Sequence, residues 1–309
     1  GSGGGYAELF RSTDGCSVWN QVDSYFDDGS CMAQDPTEAN VAYAGGSYYN
    51  SAARNYAMSI CKSTDGGLTW AVRRSLGSGG NYGTTCRDIA VAPSDSAIVY
   101  AGGQESAYAK IFRSTDAGST WSDITDNLAT MLSGVGIVYA IWVSPYDPYS
   151  LLVGTSGGVF KTAAPTGRDP TVRSWTSTSL VYSTRVFAYY QAEETVYAGT
   201  ESQGVYFTSD GGSSWQQLND GLECLKALSM GLDSENGWLY VGTDGGAVWR
   251  LGIVDVNNDG VVDFGDFAGF ADNWMGTCSA PDWCQGCDFN GSGAVDAHDL
   301  QNLAGHWLR

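Results

Sequence analysis

Two twelve-residue stretches place oxygen-bearing side chains at the spacing a hard divalent cation requires. Residues 255–266 read DVNNDGVVDFGD and residues 288–299 read DFNGSGAVDAHD. In each, Asp, Asn or Ser stands at positions 1, 3, 5, 9 and 12 and Gly at position 6, the EF-hand calcium arrangement. For a first calcium the expected ligands are the side chains of Asp255, Asn257, Asp259 and Asp266, the carbonyl of Val261, and Asp263 directly or through water. For a second they are Asp288, Asn290, Ser292, Asp299, the carbonyl of Ala294, and Asp296. A pair of solvated acidic turns is the alternative, and two separate matches with Gly in place argue against it. Cys284 and Cys287 form a CxxC nearby, but a four-ligand zinc site would need Cys278 and His298 or His306 to converge with them. Disulfide stapling is the expected use, which leaves one of these three cysteines to pair elsewhere, for instance with Cys224.

Each loop is followed by a short amphipathic stretch, FAGFADNW at 267–274 and LQNLAGHW at 300–307, expected as helices, and no helix precedes the first loop. Composition changes at residue 253, after which the chain holds nine Asp, no Glu and one Arg. The expected domains are therefore 1–252 and 253–309. The first is repetitive. STDGCSVW (12–19), STDGGLTW (63–70), STDAGSTW (114–121) and TSDGGSSW (208–215) share one pattern. Its fixed positions are Ser12, Asp14 and Trp19; Ser63, Asp65 and Trp70; Ser114, Asp116 and Trp121; and Thr208, Asp210 and Trp215, with a degenerate copy around 161–175. A second pattern, an apolar strand ending in Gly, recurs at Gly45, Gly102, Gly154, Gly199 and Gly242. Between these marks lie short runs rich in Val, Ile, Tyr and Phe, read as four antiparallel strands per unit. The fold expected is mainly β: a propeller of five four-stranded blades, with six as the alternative count, plus a small helical C-terminal module. The tally is five first, five second, six third and five outer strands, because the chain begins inside a blade. Either the N-terminal hairpin completes the last blade of a five-bladed ring and leaves one third strand over, or upstream residues and a sixth blade are missing, or a neighbouring molecule supplies or receives the odd strand.

The S/T-x-D-x-G-x-x-W pattern resembles the Asp box of sialidases, xyloglucan hydrolases and sortilin-type receptors. There the Asp would accept bonds from turn N–H groups, the Gly would supply a positive φ, and the Trp would pack between blades. Identical residues around a ring cannot all sit at one catalytic centre, so these boxes are read as structural. Cys16 replaces the Gly in the first box, where a disulfide is expected to hold the turn. The C-terminal segment, a duplicated loop and single helix with Asp at position 12, resembles a dockerin, the calcium module that docks onto cohesins in cellulosomes. It departs from that pattern in the insert CSAPDWCQGC and in Phe264, Gly265, Ala297 and His298 at the positions that usually select cohesin.

With 15 basic against 34 acidic residues, the chain has a formal charge of −19, which excludes a nucleic-acid partner. No apolar run is long enough to span a membrane. Eight cysteines suit an oxidising, extracellular or cell-surface location of a secreted bacterial protein, and the sequence reads as mature or truncated. Both histidines lie in the C-terminal module, which removes Ser-His and Cys-His catalysis from the repeats. Among first strands only the one at Arg87 and Asp88 carries an acid, and Glu193, Glu194 and Glu201 lie in turns, so the carboxylate pair of a glycosidase is not evident. Arg11, Arg113, Arg250, Lys62 and Lys161 share one repeat position and are read as structural. Tyr48, Tyr49, Tyr56 and Tyr108 could form a face that stacks sugars or grips a protein. The resulting expectation is a non-catalytic structural or adhesive building block, with enzyme status left open, joined to copies of itself as a filament or to a cohesin-like protein. The alternative is a carbohydrate-active protein, glycan binder or hydrolase, tethered through its dockerin.

Overall fold

The computed structural model describes residues 7–71, 74–81, 83–162, 174–190, 195–219, 222–233, 238–245, 248–252, 256, 263–278, 284, 287–289 and 293–305. The chain divides into two compact units, 1–177 and 178–309. The first holds a two-stranded sheet, β1 (Ala7–Arg11) with β2 (Asn20–Phe26), and three four-stranded sheets. These are β3 (Asp28–Gln34), β4 (Ala42–Asn50), β5 (Asn55–Ser63) and β6 (Arg74–Gly80); then β7 (Thr85–Val91), β8 (Val99–Glu105), β9 (Tyr108–Ser114) and β10 (Ser122–Asp123). After the one-turn helix α1 (Leu128–Met131) come β11 (Val138–Val143), β12 (Leu151–Thr155), β13 (Gly158–Thr162) and β14 (Trp175–Ser177). The second unit holds β15 (Thr184–Tyr190), β16 (Thr195–Thr200), β17 (Val205–Thr208) and β18 (Gln216–Gln217), then a three-stranded sheet of β19 (Ala227–Asp233), β20 (Trp238–Thr243) and β21 (Val248–Gly252). Helices α2 (Phe264–Asp272) and α3 (Ala297–Gly305) follow. Strand order within every sheet is chain order, and all pairings are antiparallel. Among the described residues the tally is five first, five second, six third and five outer strands, as expected from the repeats.

Every first strand carries an irregularity at the same place. The register slips between Gly29 and Cys31, Cys86 and Asp88, Val138 and Ala140, Thr184 and Val186, and Ala227 and Ser229. The residue just past the slip pairs with the second-strand glycine: Cys31 with Gly45, Asp88 with Gly102, Ala140 with Gly154, Val186 with Gly199 and Ser229 with Gly242. A bulge adds a residue and re-aims the strand.

The recurring second-strand glycine makes room for what the bulge aims. A Cβ on Gly45 would stand 2.9 Å from Cδ1 of Ile89, in the first strand of the next sheet. One on Gly102 would meet Val138 at 2.6 Å and Ile141 at 3.0 Å, and within the second unit one on Gly199 would meet Ala227 at 2.9 Å. The second pattern is thus a packing slot, and apolar clusters fill the space between neighbouring sheets. One joins Tyr43, Met58, Ile60 and Leu76 to Ile89, Val99 and Phe112; another joins Tyr100, Ile111 and Ile124 to Val138, Ile141 and Phe160.

Overpacking a slot of this kind costs about 1–3 kcal/mol. Gly45→Ala and Gly102→Ala are expected to lose that much in urea denaturation. Gly231→Ala, whose Cβ would meet nothing within 4 Å, should stay within about 0.5 kcal/mol of the parent.

Candidate functional site

The described residues hold part of each of the two oxygen loops. Helix α2 starts at loop position 10, three residues earlier than expected, because Asp263 is its N-cap. The Asp263 carboxylate accepts from Gly265 N at 2.7 Å, and Asp266 accepts from Asp263 N at 2.8 Å, a reciprocal capping box. The second loop repeats this geometry: Asp296 accepts from His298 N at 2.8 Å and Asp299 from Asp296 N at 2.9 Å. Helix α3 accordingly begins at Ala297 rather than at residue 300. At position 1, Asp288 accepts from Gly293 N at 2.8 Å. Asp266, Asp288 and Asp299 are all buried, at 0%, 2% and 0% exposure. Carboxylates withdrawn from water need a compensating cation or donors. Ala294 pairs with Thr277, and Val295 exchanges backbone bonds with Met275 and Gly276. Asp255, Asn257, Asp259, Val261, Asn290 and Ser292 lie outside the described residues.

The module closes over a small core of Phe270, Phe289, Val295 and Leu303, in which the rings of Phe270 and Phe289 stack 6.0 Å apart. Cys278 and Cys284 form a disulfide, so the CxxC is divided between a staple and a core thiol. Cys287 is fully buried, and burial pushes its thiol up to about 11. Cys224 and Cys287 are free cysteines, not the pair entertained from the sequence. A feature unread in the sequence is an apolar cleft lined by Phe264, Phe267, Leu300, Leu303 and Ala304. The two phenylalanines are 74% and 41% exposed.

The repeated turns are built alike. Ser63 Oγ donates to Asp65 Oδ1 at 2.8 Å and accepts from Gly67 N at 2.8 Å, while Thr69 N donates to Asp65 at 2.9 Å. Ser114, Asp116, Gly118 and Thr120 repeat these contacts, as do Thr208, Asp210, Gly212 and Ser214. Ser12 and Asp14 do so with Cys16 N and Val18 N. Cys16 is a free, exposed cysteine that takes the positive φ of 70° itself, so this turn holds without the expected disulfide. Trp70 is buried with Leu9, Val22 and Phe26 of the preceding sheet, and Trp121 packs with Tyr43 of the sheet before its own. Trp175 fills the same role for the degenerate copy, its Nε1 donating to Ile124 O at 3.0 Å. Trp19, in the first sheet of its unit, is 56% exposed. Two of the cations at the shared repeat position bond to the next turn: Arg11 Nε reaches Gly66 O at 2.6 Å and Lys62 Nζ reaches Ala117 O at 2.9 Å, each the equivalent carbonyl.

Tyr49 and Tyr56 are register partners across the β4–β5 hairpin, with ring centroids 5.1 Å apart. Tyr48 pairs with Ala57 and, as the neighbour of Tyr49 in a strand, projects from the opposite face. The four-tyrosine face therefore reduces to a Tyr49–Tyr56 pair, with Tyr108 54% exposed at the start of β9 in the next sheet. Asp88 is committed elsewhere. Its carboxylate accepts from Ile141 N at 2.6 Å and Ile89 N at 2.9 Å, bracing two neighbouring first strands. Burial raises it to about 7 against the opposing effect of these bonds. Glu201 is paired with Arg185 at 2.8 Å, which holds its carboxyl below the usual range, and Lys226 pairs with Asp244 at 2.6 Å. Glu193 and Glu194 lie outside the described residues.

These groups set opposite pH limbs. Hydrogen bonds from Thr69 and Thr120 hold Asp65 and Asp116 at about 2, so their contribution is present above the unfolded value near 3.8 and is lost as pH falls through about 2. Asp88, raised to about 7, favours the fold when protonated and withdraws that contribution as pH rises from about 4 through about 7. Melting temperature followed against pH should show both limbs; Asp65→Asn should flatten the acid limb and Asp88→Asn the limb between pH 4 and 7.

The dockerin type I domain family matches residues 253–306. Over 250 residues, 75% of the chain, the sequence is 27% identical to the xyloglucanase Xgh74A of Acetivibrio thermocellus, and over 198 residues it is 28% identical to a xyloglucanase of a Paenibacillus species. The chain spans 26% and 15% of those two proteins. Among solved structures, a GH74 enzyme of Niastella koreensis superposes with a TM-score of 0.56 at 21% identity, over 80% of this chain and 41% of that one. YCF48 bound to D1 peptide superposes at 0.52 and 15% identity, over 80% and 73%. The four-stranded sheets thus follow a propeller-like fold, and the C-terminal segment is a dockerin type I domain.

Proposed function

We infer that the chain is a carbohydrate-active component of an extracellular assembly, with a glycan-binding propeller at 1–252 and a calcium-loaded dockerin at 253–309 that holds it to a cohesin. The observation that carries this reading is the union, in one polypeptide, of a dockerin type I domain with propeller-like sheets whose sequence relatives are xyloglucanases. That union favours a tethered glycan partner over the self-assembling building block expected from the sequence. Glycan binding is favoured over hydrolysis because Asp88 and Glu201 are engaged in structural bonds, and a glycosidase needs two carboxylates facing each other across a cleft. Tyr49 and Tyr56 offer the aromatic surface on which a sugar ring can stack.

The loops fit two calcium ions. When bound, calcium supplies the positive charge that offsets the buried carboxylates and takes oxygen ligands from six to eight directions. Asp266, Asp288 and Asp299 would hold it directly, their carboxylates oriented by the N–H donors of Asp263, Gly293 and Asp296 respectively. The exposed Phe264 and Phe267 beside Leu300 make the apolar cleft the cohesin-facing surface of this reading.

Calcium at about a thousand times its Kd should stabilise the module by about 4 kcal/mol. Chelation, or Asp288→Ala with Asp299→Ala, is expected to lower its melting temperature and expose its amides to exchange. An unchanged melt with and without calcium would refute the metal assignment. Soluble xyloglucan and other β-glucans, titrated calorimetrically, should bind, and Tyr49→Ala with Tyr56→Ala should weaken binding about tenfold, as expected for two stacking contacts. Absence of binding to any glycan would remove the carbohydrate reading.

A further inference from the structure

The position just past the bulge is where one first strand is tied to the next. At the junction between the sheets of β7 and β11, Asp88 makes the tie by accepting from Ile141 N. Its equivalent in the preceding sheet is Cys31, which pairs with Gly45 as Asp88 pairs with Gly102. Across that junction stands Cys86, the residue before the bulge of β7. The two Sγ atoms are 3.7 Å apart, and Cys31 Sγ also lies 3.8 Å from Cys86 O. Gly45 makes the pairing sterically possible, since a Cβ there would stand 2.8 Å from Cys31 Sγ and 3.0 Å from Cys86 Sγ. Bond formation needs the sulfurs to close by about 1.7 Å.

We propose that Cys31 and Cys86 are an oxidation site, forming a disulfide that links the first strands of two neighbouring sheets when the protein meets a disulfide-class oxidant. Cys31 is partly exposed and Cys86 is fully buried, which orders the steps. The Cys31 thiolate attacks one sulfur of the oxidant, breaking its S–S bond and releasing one thiolate. The Cys86 thiolate then attacks the Cys31 sulfur, breaking the mixed disulfide and releasing the second. Two cysteine thiols are oxidised, the oxidant is reduced to two thiols, and these take up the two protons. The hydrogen bond with Cys86, together with burial, holds the Cys31 thiol well above its ordinary value, so its thiolate is scarce and the first exchange step is slow at neutral pH. The other thiols are placed differently: Cys61 is buried against Ala44 O at 3.8 Å, Cys16 is exposed on a turn, and Cys224 contacts Asp244 O at 3.1 Å.

The test uses the full chain equilibrated in a glutathione redox buffer, alkylated, digested without reductant and mapped by mass spectrometry. A peptide joining Cys31 to Cys86 is expected, abolished by phosphine, with Cys16, Cys61, Cys224 and Cys287 recovered alkylated. Recovery of Cys31 and Cys86 as alkylated thiols in oxidised glutathione, or either one linked to a different cysteine, would overturn the proposal. Thermal melting supplies a second reading. Reduction should lower the melting temperature of the parent by several degrees more than that of Cys31→Ala with Cys86→Ala, in which only the Cys278–Cys284 staple can respond; equal shifts would contradict it. Because the oxidant is supplied in vitro, the outcome does not depend on the cellular location argued above.

Discussion

The approach of a first strand to the second-strand glycine of the sheet before it, made at Gly45, Gly102 and Gly199, is the contact on which the repeat depends. Where Gly45 and Gly102 lack a Cβ, Ile89 and Ile141 enter, and the bulge one residue away supplies the angle at which they do so. Apolar burial between sheets follows from that fit, since Tyr43, Ile60 and Val99 or Tyr100, Ile111 and Val153 close over it. The outer ends are joined by polar contacts. An Asp-centred turn in one sheet presents a carbonyl that the Arg or Lys of the preceding sheet caps, and the turn's Trp lies on that preceding sheet. Each sheet is thus defined by its neighbours, as in other repeat architectures.

Acidic residues are used in two contrasting ways. In the repeats, Asp14, Asp65, Asp116 and Asp210 satisfy turn N–H groups, and Asp88 braces two strands, so these carboxylates hold the scaffold rather than waiting for a substrate. In the C-terminal module the carboxylates at loop positions 9 and 12 cap a helix with one oxygen while Asp266, Asp288 and Asp299 are withdrawn from solvent. A segment with nine Asp and one Arg has little internal means to neutralise them, which is the physical reason for invoking a divalent cation.

Much of this was legible in the residues. Strand order and the surplus third strand followed from the spacing of the S/T-x-D turns and the Gly-ended strands, because each is tied to a fixed place in the repeat. Helix starts were misplaced by three residues, since hydrophobic periodicity marks the apolar face and not the cap, and the cap is made by the loop residues Asp263 and Asp296 themselves. The bulges left no sequence signal: Arg87, Tyr139, Arg185 and Leu228 occupy the slipped positions without a common residue type. Partners of the cysteines were equally unreadable, because Cys31 and Cys86 meet only through the packing of two sheets. Tyr48 departs from the expected tyrosine face because strand alternation sends it away from Tyr49.

A dockerin tether and a glycan surface in one chain make one joint claim, which a bridging experiment addresses most directly. Immobilised type I cohesin would be loaded with the intact protein in calcium, washed, and challenged with fluorescent xyloglucan, then treated with chelator. Glycan retained only on protein-loaded cohesin, and released together with the protein on chelation, is the predicted result. Protein captured without retaining glycan, or failing to bind cohesin in calcium at all, would contradict the account.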